Sequence, residues 1–469
     1  MSMIMRKNIL LLTAALVAAA LVGACTTLGT PEATNTDESA KEMPGDPVGG
    51  GGGGALVDGS GTGSTDSESL SDMPATDSDV APGEGGYGGE GGAEGEPMAP
   101  DGGEGGEGGE TEPIEPEPVD PAEPDPKAGL VTAAEWNDLD NWAFWGGLMT
   151  GETYQEFGGY WGLWTNNRVA VTVVDQQEQP LAGIKVTLMR NGATIWTTVT
   201  DNLGRAECWV SLLQEEQNVD AGKLTLKVQE TEQAARLTAW DCPNGVSQNR
   251  IVLETASPAE EKADIAFIVD ATGSMADEIA FLKEDLMDIL NTVAQLQTGV
   301  SFRTAALFYR DIGDDYITRP NDFTANPSAT VSFISQQRAD GGGDFPEAVH
   351  TALEETLKLS WAPNAKTHLA FLLLDAPAHH ESADVLKSLQ QSIPAFAAAG
   401  IKIIPISASG IDKSTEFMLR QFAAATNGTY VFITNDSGIG GEHLEASVGD
   451  YEVEYLNELI VRLIKKYTD

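Results

Sequence analysis

The second half of this chain is expected to fold as an α/β domain with a doubly wound, mostly parallel six-stranded sheet, and two observations predict it. From Ala263 onward, apolar runs of strand length alternate with segments whose apolar residues recur at helical spacing, the signature of strands joined by crossover helices. Two of those runs end on an aspartate, Asp270 and Asp375, and in such sheets ligands bind at the carboxyl ends of strands. A small all-β sandwich and a disordered acidic tether are expected to precede this domain.

Length and charge set the outer bounds. The 469 residues suit two or three domains. The formal net charge of −45 excludes nucleic acid and anionic lipid surfaces as partners, because both repel such a chain. Residues 1–25 read as a targeting segment: Arg6 and Lys7 precede an apolar run too short for a comfortable membrane span. The run closes on Leu21-Val22-Gly23-Ala24-Cys25, which resembles a bacterial lipoprotein lipobox and implies acylation of Cys25. An ordinary signal peptide with an incidental Cys is the bland alternative. By the same resemblance, Thr26 after the Cys implies an outer-membrane lipoprotein of the bacterial cell envelope, facing the periplasm or the surface.

Residues 26–127 form the tether. From Thr26 to Pro126 there are 25 acidic residues and one Lys, among Gly runs, a Gly-Gly-Glu repeat and a Pro-Glu alternation. Nothing there can build a core, so disorder is expected. As a coil, about 100 such residues span roughly 55 Å, enough to hold a folded head away from a lipid anchor.

Residues 128–165 are Trp-rich. Trp136, Trp142, Trp145, Trp161 and Trp164 stand among Phe144, Tyr154, Phe157 and Tyr160. Such rings serve either as a sugar-stacking surface or, more commonly, as a lead-in packed on a neighbouring domain. Residues 166–256 alternate short β-branched runs with turn residues at the spacing of an all-β sandwich. The order of strands around Gln179-Pro180-Leu181-Ala182-Gly183 and Asp201-Asn202-Leu203-Gly204-Arg205 resembles the carboxypeptidase regulatory-like, Ig-type sandwich, which implies a spacer without chemistry of its own. Cys208 and Cys242 remain after the lipobox. An even pair in an exported protein predicts a disulfide, with two buried thiols as the alternative.

Residues 257–469 carry the chemistry. The stretch KADIAFIVDATGSM, residues 262–275, ends a buried strand on Asp270-Ala271-Thr272-Gly273-Ser274. Three oxygen side chains alternate there around a tight Gly turn. The tether holds a look-alike at Asp58-Gly59-Ser60-Gly61-Thr62, but no buried strand precedes it to hold those oxygens together. Helices are expected near residues 275–297, 326–337, 346–359, 383–399, 415–425 and 451–466, with strands between them and the loop Asp340-Gly341-Gly342-Gly343-Asp344 before the third.

The combination of Asp270-x-Thr272-Gly273-Ser274, Gly341-Gly342-Gly343-Asp344-x-Pro346-Glu347 and Asp375-Ala376-Pro377-x-His379 resembles a von Willebrand factor A domain. The resemblance implies a metal-ion-dependent adhesion site in which Asp270, Thr272 and Ser274 form the first motif, Asp344 of the Gly-rich loop supplies a further ligand, and Asp375 the last. Hydroxyls and carboxylates are hard ligands suited to Mg²⁺, or Mn²⁺ or Ca²⁺. An acidic side chain of a protein or peptide partner can complete such an ion. Asp344 adds a negative charge where the commonest pattern has Thr, which weakens the hold on an acidic partner. Asp344 also fits an N-cap, with Glu347 at the third helical position. His379 and His380 invite a zinc or triad reading with Ser274, but no His-Glu-x-x-His or Gly-x-Ser-x-Gly motif supports either, and no catalytic residues are expected.

Overall fold

The structure, a computed structural model, describes residues 125–469 apart from 244–246, 255–257, 297–298 and 344. Cys25 and the tether up to residue 124 lie outside the described residues, as does Asp344.

The chain enters on strand β1 (Thr132–Trp136) and two short helices, α1 (Trp142–Met149) and α2 (Glu152–Trp161). Seven strands follow: β2 (Arg168–Asp175), β3 (Lys185–Arg190), β4 (Ala193–Val199), β5 (Arg205–Trp209), β6 (Leu224–Val228), β7 (Thr231–Ala234) and β8 (Asn249–Leu253). They form a three-stranded sheet, β5-β2-β8, and a four-stranded sheet, β4-β3-β6-β7. Alternation along the strands turns Val169, Val171 and Val173 of one sheet and Val186, Leu188, Leu224 and Leu226 of the other into one apolar cluster.

The head begins at β9 (Glu260–Asp270) and continues through α3 (Ile279–Val293), β10 (Ser301–Tyr309), β11 (Thr318–Thr324), α4 (Pro327–Ser335), α5 (Val349–Leu357), β12 (Ala365–Leu374), α6 (Ala383–Ala398), β13 (Ile401–Ser407), α7 (Lys413–Ala425), β14 (Tyr430–Ile433), β15 (Glu454–Tyr455) and α8 (Leu456–Thr468). The α/β alternation holds, with one correction to the six-stranded expectation. The sheet has eight strands in the order β11-β10-β9-β12-β13-β14-β1-β15. Strands β10, β9, β12, β13 and β14 run parallel, whereas β11 is antiparallel at one edge and β1 and β15 extend the other. β1 comes from the Trp-rich lead-in and pairs antiparallel with β14, about 300 residues away in sequence, which local periodicity cannot reveal.

Helices cover both faces. Ile265, Phe267 and Val269 of β9 pack toward α3, α4 and α8, while Leu372, Leu374, Ile401 and Ile403 pack toward α5, α6 and α7. The second core continues through the lead-in into the two small sheets. Trp142, Trp145 and Trp161 are each at most 1% exposed, so most of the rings are core rather than an open stacking surface. At the seam, Gly400 at φ 70° would place a Cβ 2.9 Å from that of Val199, a close approach only Gly permits.

No disulfide joins Cys208 and Cys242, contrary to expectation. Both are buried. Cys208 lies opposite Val169 in the β2–β5 register and points with it into the core. Cys242 lines a cavity with Arg168, Ala170, Thr172 and Glu207, on the other side of the same sheet. The strand's period of two separates the sulfurs, and an even Cys count carries no information about that.

Candidate metal centre

Strand β9 is first in the head's chain order; β10 is added on one side of it and β12 on the other. The gap between the carboxyl ends of β9 and β12 is therefore the topological switch point, where open α/β sheets hold ligands. Asp270 ends β9 and Asp375 follows β12 directly. The register pairs Val269 with Leu373, so the two carboxylates stand side by side on one rim.

The first motif is folded back on itself. The Thr272 amide and hydroxyl both donate to Asp270 Oδ1, at 2.9 and 2.7 Å, and the hydroxyls of Thr272 and Ser274 lie 3.2 Å apart. Asp270 and Thr272 are fully buried, whereas Ser274 is exposed. The residues after Thr272 make a 3₁₀ turn over Gly273–Asp277 before α3 starts at Ile279, later than the helix predicted from residue 275. That turn opens the rim and leaves Ser274 facing outward.

The Gly-rich loop closes over the motif. Gly341, Gly342 and Gly343 have φ of 78°, 72° and 155°. The Gly273 amide donates to Gly341 O at 3.1 Å, and the Gly342 amide to Asp314 Oδ2 at 2.9 Å. A Cβ on Gly342 would stand 3.0 Å from Glu347 Oε1 and 3.2 Å from Thr272 Cβ. The loop is Gly because backbone must lie flat between those two side chains.

Glu347 is the residue that sequence reasoning misplaced. It is not the third residue of a helix: α5 begins at Val349 with Ala348 as its cap residue. Instead the Glu347 amide donates to Pro377 O at 2.8 Å, and residue 347 bridges to Ala378 in parallel fashion. Its side chain is 2% exposed and sits beneath the Gly-rich loop. Pro346 does restrict the helix start, but which way the acid turned was decided by the bridge to the loop after β12. Glu347 therefore does not take the third position of a helix; Asp344, the other half of the expected capping box, lies outside the described residues.

Buried acids crowd this pocket. Burial, then the neighbouring Asp375, pushes the Asp270 carboxyl up to about 7. Burial raises Asp375 to about 6, with the Ser274 hydroxyl working the other way. Burial and the charges of Asp270, Asp311 and Asp375 drive Glu347 to about 9. Asp270 Oδ2, Asp375 Oδ1 and Glu347 Oε2 are buried and satisfied by no well-formed hydrogen bond among the described residues. Unpaired buried carboxylate oxygens are costly. The donor set fits a hard divalent cation: two carboxylates, two hydroxyls and a third acid behind them. Among the described residues no three His, Cys, Asp or Glu side chains converge at metal-ligand spacing, so this set depends on its hydroxyls.

The histidines are spoken for. His379 Nε2 is 2.7 Å from Asp311 Oδ1 and its Nδ1 is 3.0 Å from Glu381 Oε1. Neither nitrogen serves Ser274, so the arrangement is not a nucleophile–base pair. The Asp311 amide in turn donates to Asp314 Oδ2 at 3.1 Å, and with the His379 and Gly342 bonds this ties the loop after β12 to the Gly-rich loop. On the other flank, Glu278 Oε1 accepts from the Ser409 amide at 3.0 Å and lies 3.1 Å from His443 Nε2.

Comparison with known proteins places the domain. A stretch of 119 residues is 34% identical to a putative ariadne-like RING finger protein of Acanthamoeba polyphaga mimivirus, covering 25% of this chain and 11% of that protein. A stretch of 147 residues is 31% identical to the alpha-protein kinase vwkA of Dictyostelium discoideum, covering 31% of this chain and 23% of the kinase. The chain thus matches less than a quarter of the length of either relative. Similar solved structures include an aerotolerance-related membrane protein from Bacteroides fragilis, at 11% identity and TM-score 0.29, and the conserved hypothetical protein BatB from Bacteroides thetaiotaomicron, at 12% and 0.30. Each match covers 44% of this chain and 98% of the other. Residues 264–434 match the family model of the von Willebrand factor A domain, and the chain therefore carries such a domain as its head.

Proposed function

We propose that this is a lipid-anchored protein of the bacterial cell envelope whose von Willebrand factor A domain grips a protein or peptide partner through a divalent cation. The observation that carries this reading is the set of unpaired, buried carboxylate oxygens of Asp270 and Asp375 beside the Thr272 and Ser274 hydroxyls. Those four residues would hold the ion, Mg²⁺ or else Mn²⁺ or Ca²⁺, with Glu347 as a further acid of the same pocket and Asp344 as the added ligand that the family resemblance implies. Once bound, the ion supplies a positive centre that an acidic group of the partner can complete. Asp270 orients Thr272 through two hydrogen bonds, and the Gly-rich loop seals the inner side of the pocket while Ser274 leaves the outer side open. We assign no catalytic step to these residues.

The anchor and location rest on the lipobox resemblance at Cys25 and on the acidic tether. Among the described residues no helix is long and apolar enough to cross a membrane. The two small sheets are read as an Ig-type spacer. The test is partner capture from envelope extracts with the native chain and with Asp270→Ala, in Mg²⁺ and in EDTA. Capture should be lost with EDTA and with the variant; capture indifferent to both would sink the metal-dependent reading.

A second reading has its own observation. Gly273–Gly341, Gly342–Asp314 and His379–Asp311 bonds already lace the rim loops together, so a cation there can act as a staple in an envelope scaffold. A metal-stripped protein that melts earlier yet still binds its partner supports this alternative.

A further inference from the structure

Around the candidate metal centre the rim is both greasy and acidic. Ile312 is 58% exposed, Phe345 46% and Tyr160 42%, each a large apolar side chain left open to solvent. They belong to one end of the molecule. Ile312 lies between Asp311, which contacts His379, and Asp314, which holds the Gly342 amide. Phe345 precedes Pro346 and Glu347, whose amide is bonded to Pro377. The Tyr160 ring, contributed by α2 of the lead-in, stacks on His380 with centroids 4.2 Å apart. The loop of Ile312 also carries Asp314 and Asp315, and the 3₁₀ turn beside Ser274 carries Asp277; none of the three is in an ion pair among the described residues.

Exposed apolar side chains set among acidic segments at one rim mark an interaction site, and acids without an ion-pair partner select the opposite charge on whatever docks. We propose that this face receives a protein segment in which an apolar side chain is flanked by Lys or Arg. The apolar residue seats among Tyr160, Ile312 and Phe345, and the basic residues meet Asp277, Asp314 and Asp315. A segment that is acidic throughout is disfavoured, because several uncompensated carboxylates surround the one position where the ion accepts an anion. This inference rests on the reading of the face as partner-binding and adds the chemistry of the partner. Tyr160 gives the lead-in a part in recognition that its buried tryptophans do not have.

The experiment is the panning of a random peptide display library on the full chain loaded with Mg²⁺, repeated in EDTA. Two double variants are carried alongside, Ile312→Ser with Phe345→Ser and Asp277→Asn with Asp315→Asn, and their melting temperatures and Mg²⁺ affinities are compared with the native chain. The expected result is enrichment of peptides with an aromatic or aliphatic residue next to Lys or Arg, bound roughly tenfold more weakly by each double variant, with on-rates that fall as salt rises. Peptides that share only a carboxylate, require Mg²⁺ and ignore both double variants would overturn this inference and leave the metal-dependent function intact. Basic, apolar peptides retained equally in EDTA would uphold the face and count against the metal. Absence of any enrichment overturns the inference, since an open face of this kind should retain such peptides.

Discussion

Glu347 and Gly342 show how single residues shape the pocket. Gly342 adopts φ 72° with Thr272 and Glu347 pressed against it. Gly342→Ala is expected to cost about 1–2 kcal/mol in backbone strain, lowering the melting point by a few degrees. It should also weaken Mg²⁺ binding roughly tenfold by pushing the loop off Thr272. Calorimetric titration checks this; a Gly342→Ala protein that binds Mg²⁺ like the native chain would refute the role given to the loop. Asp285 offers an independent residue-scale test away from the site. It is fully buried on α3, accepts from the Gly129 amide at 2.7 Å, and has a second oxygen without a donor among the described residues. Burial, aided by Asp288 and Glu284 and opposed by the Gly129 bond, raises its carboxyl to about 7. A folded-state value above the unfolded one means stability that is complete below about pH 4 and is lost as pH rises toward 7. Asp285→Asn keeps the acceptor for Gly129, so it should melt several degrees above the native chain at pH 8, with the difference vanishing near pH 4. A difference that does not vary with pH counts against this account.

At the scale of elements, the lead-in emerges as a clamp. Arg420 of α7 is fully buried and holds Asp138 with two bonds, Nε to Oδ2 at 2.9 Å and Nη2 to Oδ1 at 2.6 Å. Arg168 of β2 grips Glu207 in the same bidentate way and gives its third donor to Leu139 O at 2.8 Å. Residues 138 and 139 therefore bind the head and the small sheets at once. Arg420→Met leaves Asp138 as a buried charge without its cation, while Glu416 keeps Lys413 at 3.1 Å, and should destabilise by about 3–5 kcal/mol. The double variant with Asp138→Leu should recover part of that loss. Chemical denaturation measures both, and additive losses would show that the pair is not coupled. The Trp-rich composition announced burial, but the ionic partners, 282 residues apart in sequence, left no local trace.

For the molecule as a whole, the consequence is that the von Willebrand factor A domain of this chain is not self-contained. Its sheet needs β1, which covers the otherwise open edge of β14 and carries β15. A chain shortened to begin at residue 257 should therefore be poorly soluble or melt far below one beginning at residue 125, because it bares a sheet edge and an apolar face. If the shortened head folded with native stability, β1 would be an ornament. The small sheets contribute to the same core, so the unit is expected to unfold in a single transition rather than in two.

The α/β class, the apolar face of α3 and the pairing of Asp270 with Asp375 at strand ends were legible in the sequence, because strand and helix periods and the strand-to-turn transition are local properties. So were Thr272 and Ser274, since their spacing around Gly273 is itself the signal. The eighth-strand architecture, the separation of Cys208 from Cys242 and the inward turn of Glu347 were decided by the tertiary structure alone. Each depends on which surface a residue meets across the fold: β1 on β14, the two faces of the β2–β5 pair, and the loop after β12 lying over residue 347. The sequence by itself determined that two strand-end carboxylates would share a rim with two hydroxyls. Only the packed structure decided that a third buried acid would stand behind them, because that acid's place is set by a long-range backbone bond and not by its neighbours in the chain.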